Sequence, residues 1–61
     1  MTGWVNVNGI WFYLDETGAM YAGRWVAYLD KWYYLDKDGR MLVNRKTPDG
    51  YQVGADGAWI Q

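Results

Sequence analysis

The side chains of this sequence best equipped for chemistry are its rings. Five Trp, six Tyr and one Phe make up 20% of 61 residues. Aromatic faces attract organic cations through their quadrupole, and the same faces can stack on the apolar side of a sugar. Nucleophile-and-base arrangements are excluded by composition, since the chain has no Ser, no His and no Cys. The same absences exclude disulfides and a Cys/His zinc site. Asp15 and Asp36 lie three residues before a Gly and Asp56 directly before one, where Asp serves as a turn former, not a catalytic acid. Asp36-Lys37-Asp38-Gly39 echoes a calcium loop but lacks the downstream ligands and bidentate Glu. Gly54-Ala55-Asp56-Gly57 has no helix after it and is not a phosphate loop. No metal and no cofactor are implied, and no enzymatic activity is expected.

Charge narrows the partners. Six basic and seven acidic residues are interspersed, for a net charge of −1, which leaves no electrostatic footprint for nucleic acid. No apolar run approaches the roughly 18 residues of a membrane span, so no membrane insertion is expected. Met1-Thr2-Gly3-Trp4 does not read as a secretion signal.

A chain this short buries only about 60% of its unfolded surface and needs additional support. Repetition supplies it. Shifted by 21 residues, Trp4 meets Trp25, Trp11 meets Trp32, Phe12-Tyr13-Leu14-Asp15 meets Tyr33-Tyr34-Leu35-Asp36, Gly18 meets Gly39 and Met20 meets Met41. A further shift of 18 takes Tyr33-Tyr34-Leu35 to Tyr51-Gln52-Val53, Asp38-Gly39 to Asp56-Gly57, and Met41 to Trp59. The chain is therefore one module of three units, about 2–22, 23–43 and a degenerate terminal unit at 44–61.

Each unit reads as a β-hairpin. Trp11 to Leu14 suits a strand, Asp15-Glu16-Thr17-Gly18 a turn, and Ala19 to Ala22 the returning strand. Unit two repeats this with Trp32 to Leu35, Asp36 to Gly39, and Arg40 to Val43. Unit three has Gly50 to Val53, Gly54 to Gly57, and Ala58 to Gln61. Residues 23–31 and 44–49 are read as links, and no helix is expected. The expected fold is all-β, a short solenoid of three stacked hairpins with the third degenerate. Period two sends Phe12, Leu14, Tyr33, Leu35, Tyr51 and Val53 to the core, and the opposite face carries the excess of Trp and Tyr.

The string Gly9-x-Trp11-Phe12-Tyr13-Leu14-Asp15-x-x-Gly18-x-Met20, with Gly3-Trp4 before it, resembles the choline-binding or cell-wall-binding repeat of Gram-positive bacteria and their phages. Unit two carries the same string from Trp25 to Met41, and Thr47-Pro48-Asp49-Gly50-Tyr51 through Trp59-Ile60 looks like a terminal repeat. The resemblance covers nearly the whole chain. It implies a left-handed β-solenoid, with choline held between successive hairpins by two Trp of one and a Tyr of the next. It also implies a parent protein that is secreted and sits on the cell wall or surface of a Gram-positive bacterium. Closely related repeats in glucansucrases and clostridial toxins bind carbohydrate.

Carried over residue by residue, the resemblance implies one complete cage of Trp11, Trp25 and Tyr34, with Met41 at its floor. Trp4 and Tyr13 form a possible half-site. A degenerate site retains Trp32, with Lys46 and Gln52 at the other positions. Two positions depart from the first unit: Arg24 stands where Gly3 does, and Asp30 where Gly9 does. The expected function is a non-catalytic cell-wall binding module holding choline of teichoic acids. The alternatives are carbohydrate binding by the same aromatic rows, a structural repeat that forms homodimers through open solenoid ends, and a proline-rich peptide binder. The repeat itself argues against the last.

Overall fold

In a computed structural model of the chain, residues 3–61 are described and fold into three antiparallel hairpins with no helix among them. Strands β1 (Gly3–Val7) and β2 (Ile10–Leu14) form the first, β3 (Arg24–Tyr28) and β4 (Lys31–Leu35) the second. The third is reduced to β5 (Arg45–Lys46) and β6 (Gln52–Val53). Each hairpin is its own two-stranded sheet.

The pairing differs from the sequence expectation by one element. Trp11–Leu14 pairs along its length with the residues before it, in the register Trp4↔Tyr13, Val5↔Phe12, Asn6↔Trp11, and meets 19–22 only at the Leu14↔Met20 bridge and the Tyr21–Tyr13 backbone bond. The reason lies in the connection. Asn8 and Gly9 adopt φ values of 53° and 85°, the left-handed pair that makes a two-residue turn match the twist of its strands. Residues 23–31, expected as a link, likewise hold β3 and its turn, where Leu29 and Asp30 take φ values of 49° and 66°. The expected return strands survive as single bridges, Leu14↔Met20, Leu35↔Met41 and Val53↔Trp59.

Those bridges follow the predicted Asp/Gly turns. Asp15 Oδ1 accepts bonds from the Thr17 amide at 2.9 Å, the Thr17 hydroxyl at 2.6 Å and the Ala19 amide at 3.0 Å. The Thr17 hydroxyl first, then the Ala19 amide, hold the Asp15 carboxyl below its usual range. Asp36 Oδ1 accepts from the Asp38 and Arg40 amides in the same way. In unit three Gly54 occupies this place, and Asp56 Oδ1 instead accepts from the Ala58 amide at 3.0 Å.

After the second and third turns the chain crosses to the preceding hairpin and bonds to it. The Met41 amide donates to the Trp11 carbonyl at 2.9 Å, and the Trp59 amide donates to the Trp32 carbonyl at 2.8 Å. These bonds stack the hairpins into a short β-solenoid in which each unit touches its neighbour. The core forms along the stack, with Leu35 and Val53 fully buried and Val26, Tyr34, Leu42 and Ala58 nearly so. Leu35 and Val53 lie where period two put them. Phe12, Leu14 and Tyr33 are only half-buried and Tyr51 is exposed, whereas Tyr34 turns inward beside Trp25.

Candidate functional site

Pairing across Asn8-Gly9 places Trp4 and Trp11 on one face of the first hairpin, because Asn6, opposite Trp11, is two residues from Trp4. Pairing across Leu29-Asp30 does the same for Trp25 and Trp32, with Ala27 opposite Trp32. Each Trp pair faces the following unit and forms two walls of a recess.

The first recess, about 320 Å³, is lined by Trp4, Trp11, Tyr28, Tyr33, Met41 and Asp56. The Trp4 and Trp11 rings stand perpendicular, with centroids 6.3 Å apart, and Tyr33 meets Trp4 edge-on at 5.2 Å. The second, about 210 Å³, is lined by Trp25, Trp32, Tyr51 and Trp59. There Trp25 meets Tyr51 at 5.9 Å and Trp59 at 6.4 Å, and Tyr51 meets Trp59 at 5.5 Å, all edge to face. The recesses are equivalent by the repeat. Trp4, Trp11, Tyr33 and Met41 of one correspond to Trp25, Trp32, Tyr51 and Trp59 of the other, by shifts of 21, 21, 18 and 18 residues.

The four residues expected to make a single cage are therefore distributed over two places. Trp11 and Met41 line the first recess, Trp25 lines the second, and Tyr34 packs edge-on beneath Trp25 at 5.1 Å. The physical reason is the hairpin pairing: a strand two-fold related across Asn8-Gly9 brings Trp11 beside Trp4, not beside Trp25. Trp4, expected in a half-site, is a wall of the first recess, and Tyr13 supports it from the opposite strand at 5.0 Å. Trp32, expected in a degenerate site, is a wall of the second, alongside Tyr51 and Trp59. Lys46 borders a separate polar recess with Lys37, Arg40 and Arg45.

Two residues tune the rings from outside. The Trp25 indole N–H donates to Asp49 Oδ2 at 3.0 Å, which fixes the ring and holds the Asp49 carboxyl below its usual range. Trp4, its repeat equivalent, has a buried indole nitrogen with no hydrogen-bond partner among the described residues. Arg24, in the place of Gly3, sets its guanidinium over the Tyr21 ring at 4.3 Å from the centroid. Sequence reasoning missed Tyr28, Tyr33, Tyr51, Trp59, Asp49 and Asp56 as neighbours of these recesses. The Asn8-Gly9 turn signal, had it set the register, would have placed Trp4 and Trp11 on one face of the hairpin.

The fold and the repeated recess define a repeat-built module that presents aromatic pockets at the junctions between hairpins. A model of the choline-binding repeat family matches residues 19–59, and one of a putative cell wall binding repeat matches residues 2–20. The chain belongs to the choline-binding repeat family. It is 43% identical to the choline-binding domain of Spr1274 from Streptococcus pneumoniae, covering all of this chain and 72% of that one, with a TM-score of 0.88. Choline-binding protein F of Streptococcus pneumoniae, solved with a peptidoglycan analogue, is 40% identical over all of this chain and 20% of its own, with a TM-score of 0.86. A pneumococcal cell wall endolysin of phage Cp-1, solved with choline, is 27% identical over 98% of this chain and 18% of its own, with a TM-score of 0.88. The chain thus spans about a fifth of each of these last two. No curated protein sequence matches it.

Proposed function

We propose that this chain is a non-catalytic wall-binding module, and that each recess closes on the trimethylammonium head of choline. The observation that carries this is the repeated arrangement of two Trp from one hairpin with a Tyr from the next unit, Trp4/Trp11/Tyr33 and Trp25/Trp32/Tyr51. A quaternary ammonium donates no conventional hydrogen bond, so its recognition falls to ring faces, each worth about 0.5–2 kcal/mol. Three or four such faces give a site of roughly millimolar affinity. Such weak sites become useful when several act together on a polymer bearing many choline groups.

The edge-to-face rings favour a compact cation over a sugar, because they turn several faces toward one small group, whereas a pyranose stacks on one flat face. The similar structures solved with choline and with a peptidoglycan analogue support the same reading. Its setting is the outer surface of a Gram-positive bacterium, where the module would anchor a larger secreted protein. Any catalytic activity belongs to other parts of such a parent.

The test is a titration of choline chloride, against sodium chloride and against dextran, followed by the indole N–H resonances. Choline-specific shifts at both recesses are expected, Trp11→Ala removing those of the first and Trp32→Ala those of the second. Identical responses to choline and sodium chloride would refute the proposal, and a response to dextran alone would transfer it to glucans.

A further inference from the structure

The two recesses match in their rings but not in their charge. Asp56, in the turn of the third unit, lines the first recess, and no carboxylate lines the second. The turn places it there mechanically. Met41, which lines the first recess, lies against Gly57, and Asp56 is the residue before that glycine. One carboxylate oxygen, Oδ1, is occupied by the Ala58 amide at 3.0 Å, which pins the side chain and leaves Oδ2 with no protein partner among the described residues. The recess is thus built from three units: two Trp of the first, Tyr28, Tyr33 and Met41 of the second, and a carboxylate of the third.

From this asymmetry we infer that Asp56 makes the first recess the better site for ammonium groups that still carry N–H, whereas the second prefers fully methylated ones. The inference rests on the cage reading above. A protonated amine with one or more N–H groups is strongly hydrated, and ring faces alone do not replace its hydrogen bonds with water. A carboxylate at the edge of the cage does, by accepting a charge-assisted bond. A trimethylammonium group needs no such acceptor and gains only the Coulombic attraction, which is small at an exposed carboxylate. The second recess has four aromatic walls and no carboxylate among its lining residues; Asp49, outside that lining, accepts the Trp25 indole N–H with Oδ2. This recess offers an N–H donor ring faces alone.

The experiment is a two-site titration of the full chain with choline, N,N-dimethylethanolamine and ethanolamine chlorides, reading Trp11 for the first recess and Trp32 for the second. Choline is expected at both. Dimethylethanolamine and ethanolamine are expected to bind the first recess at least five-fold more tightly than the second. In Asp56→Asn, which keeps an oxygen for the Ala58 amide, binding of these two at the first recess falls to the level of the second. Choline there weakens by about two- to five-fold. Equal binding of ethanolamine at both recesses, or an unchanged preference in Asp56→Asn, would overturn the inference while leaving the choline cages intact. Failure of all three ligands at both recesses would overturn the inference and the cages together.

Discussion

Met41 packs its Sδ and Cε onto Gly57 so closely that a Cβ built on that glycine would lie 2.6 Å from Cε and 2.8 Å from Sδ. The same relation holds one unit earlier, between Met20 and Gly39, at 2.7 Å. The recurring Gly-x-Met of the repeat is therefore one half of an interlock: the Met of one unit needs the Gly of the next. Both glycines also have positive φ, 86° at Gly39 and 84° at Gly57, so two demands fall on one position.

Gly57→Ala meets both demands at once. The methionine tip is flexible and can yield, but the backbone strain of a left-handed alanine, about 1–2 kcal/mol, remains. Denaturant unfolding should show a loss of that size. Because Met41 also lines the first recess, choline affinity at Trp11 should fall, while Trp32 should report an unchanged second recess. Equal losses at both would mean that the interlock is not local.

The Trp25–Asp49 bond makes a prediction in pH. The indole N–H lowers the Asp49 carboxyl below its usual value. A group depressed in the folded state contributes stability that is fully present above its unfolded value, about 3.9, and is lost as pH falls through the folded one. The Trp25 indole N–H resonance should therefore follow a titration whose midpoint lies below that of an ordinary Asp. In Asp49→Asn that transition should vanish.

Leu29 carries a φ of 49° with its side chain 78% exposed, so it gains little from burial and bears left-handed strain. The matching position in unit one is Asn8, a residue tolerant of that conformation. Leu29→Asn should stabilise the module by about 1 kcal/mol, raising its melting temperature by roughly 4–8 °C. An unchanged or lower melting temperature would contradict the strain argument.

Trp4 and Trp25 occupy equivalent places with unequal hydrogen bonding. Replacing Trp25 by Phe removes a bond to a carboxylate, whereas replacing Trp4 by Phe removes a buried donor that has no partner. Trp25→Phe should cost about 1 kcal/mol more than Trp4→Phe, a difference readable in paired melts.

Much of this fold was legible in the sequence because its signals are local and repeated. The shift that superposes Trp11-Phe12-Tyr13-Leu14 on Trp32-Tyr33-Tyr34-Leu35 established the units, and period two placed Leu35 and Val53 in the core. Strand pairing was less legible. Asn8-Gly9 announces a hairpin, but its counterpart Leu29-Asp30 has no turn-forming Gly and conceals the second one. The Asp15–Gly18 turn was correctly seen, yet on the free edge of β2 it leads to a single bridge, Leu14↔Met20, in place of a full strand. The recesses followed that error: their Trp identities were visible, and their grouping depended on a register that side-chain pattern alone did not decide. Asp49 and Asp56 were out of reach, since each acts on a ring more than 20 residues away or in another unit's recess.

Every recess takes its walls from both sides of a junction, as the Met41–Trp11 and Trp59–Trp32 backbone bonds make plain. Capacity in such an array is thus counted in joints: three units offer two, and inserting one more unit would add one pocket and one stacking contact together. A ligand wedged in a joint also resists its opening, so occupancy and cohesion rise as a single quantity. If the proposed cages are correct, an array of this kind would hold a choline-bearing polymer most firmly when it is itself hardest to pull apart.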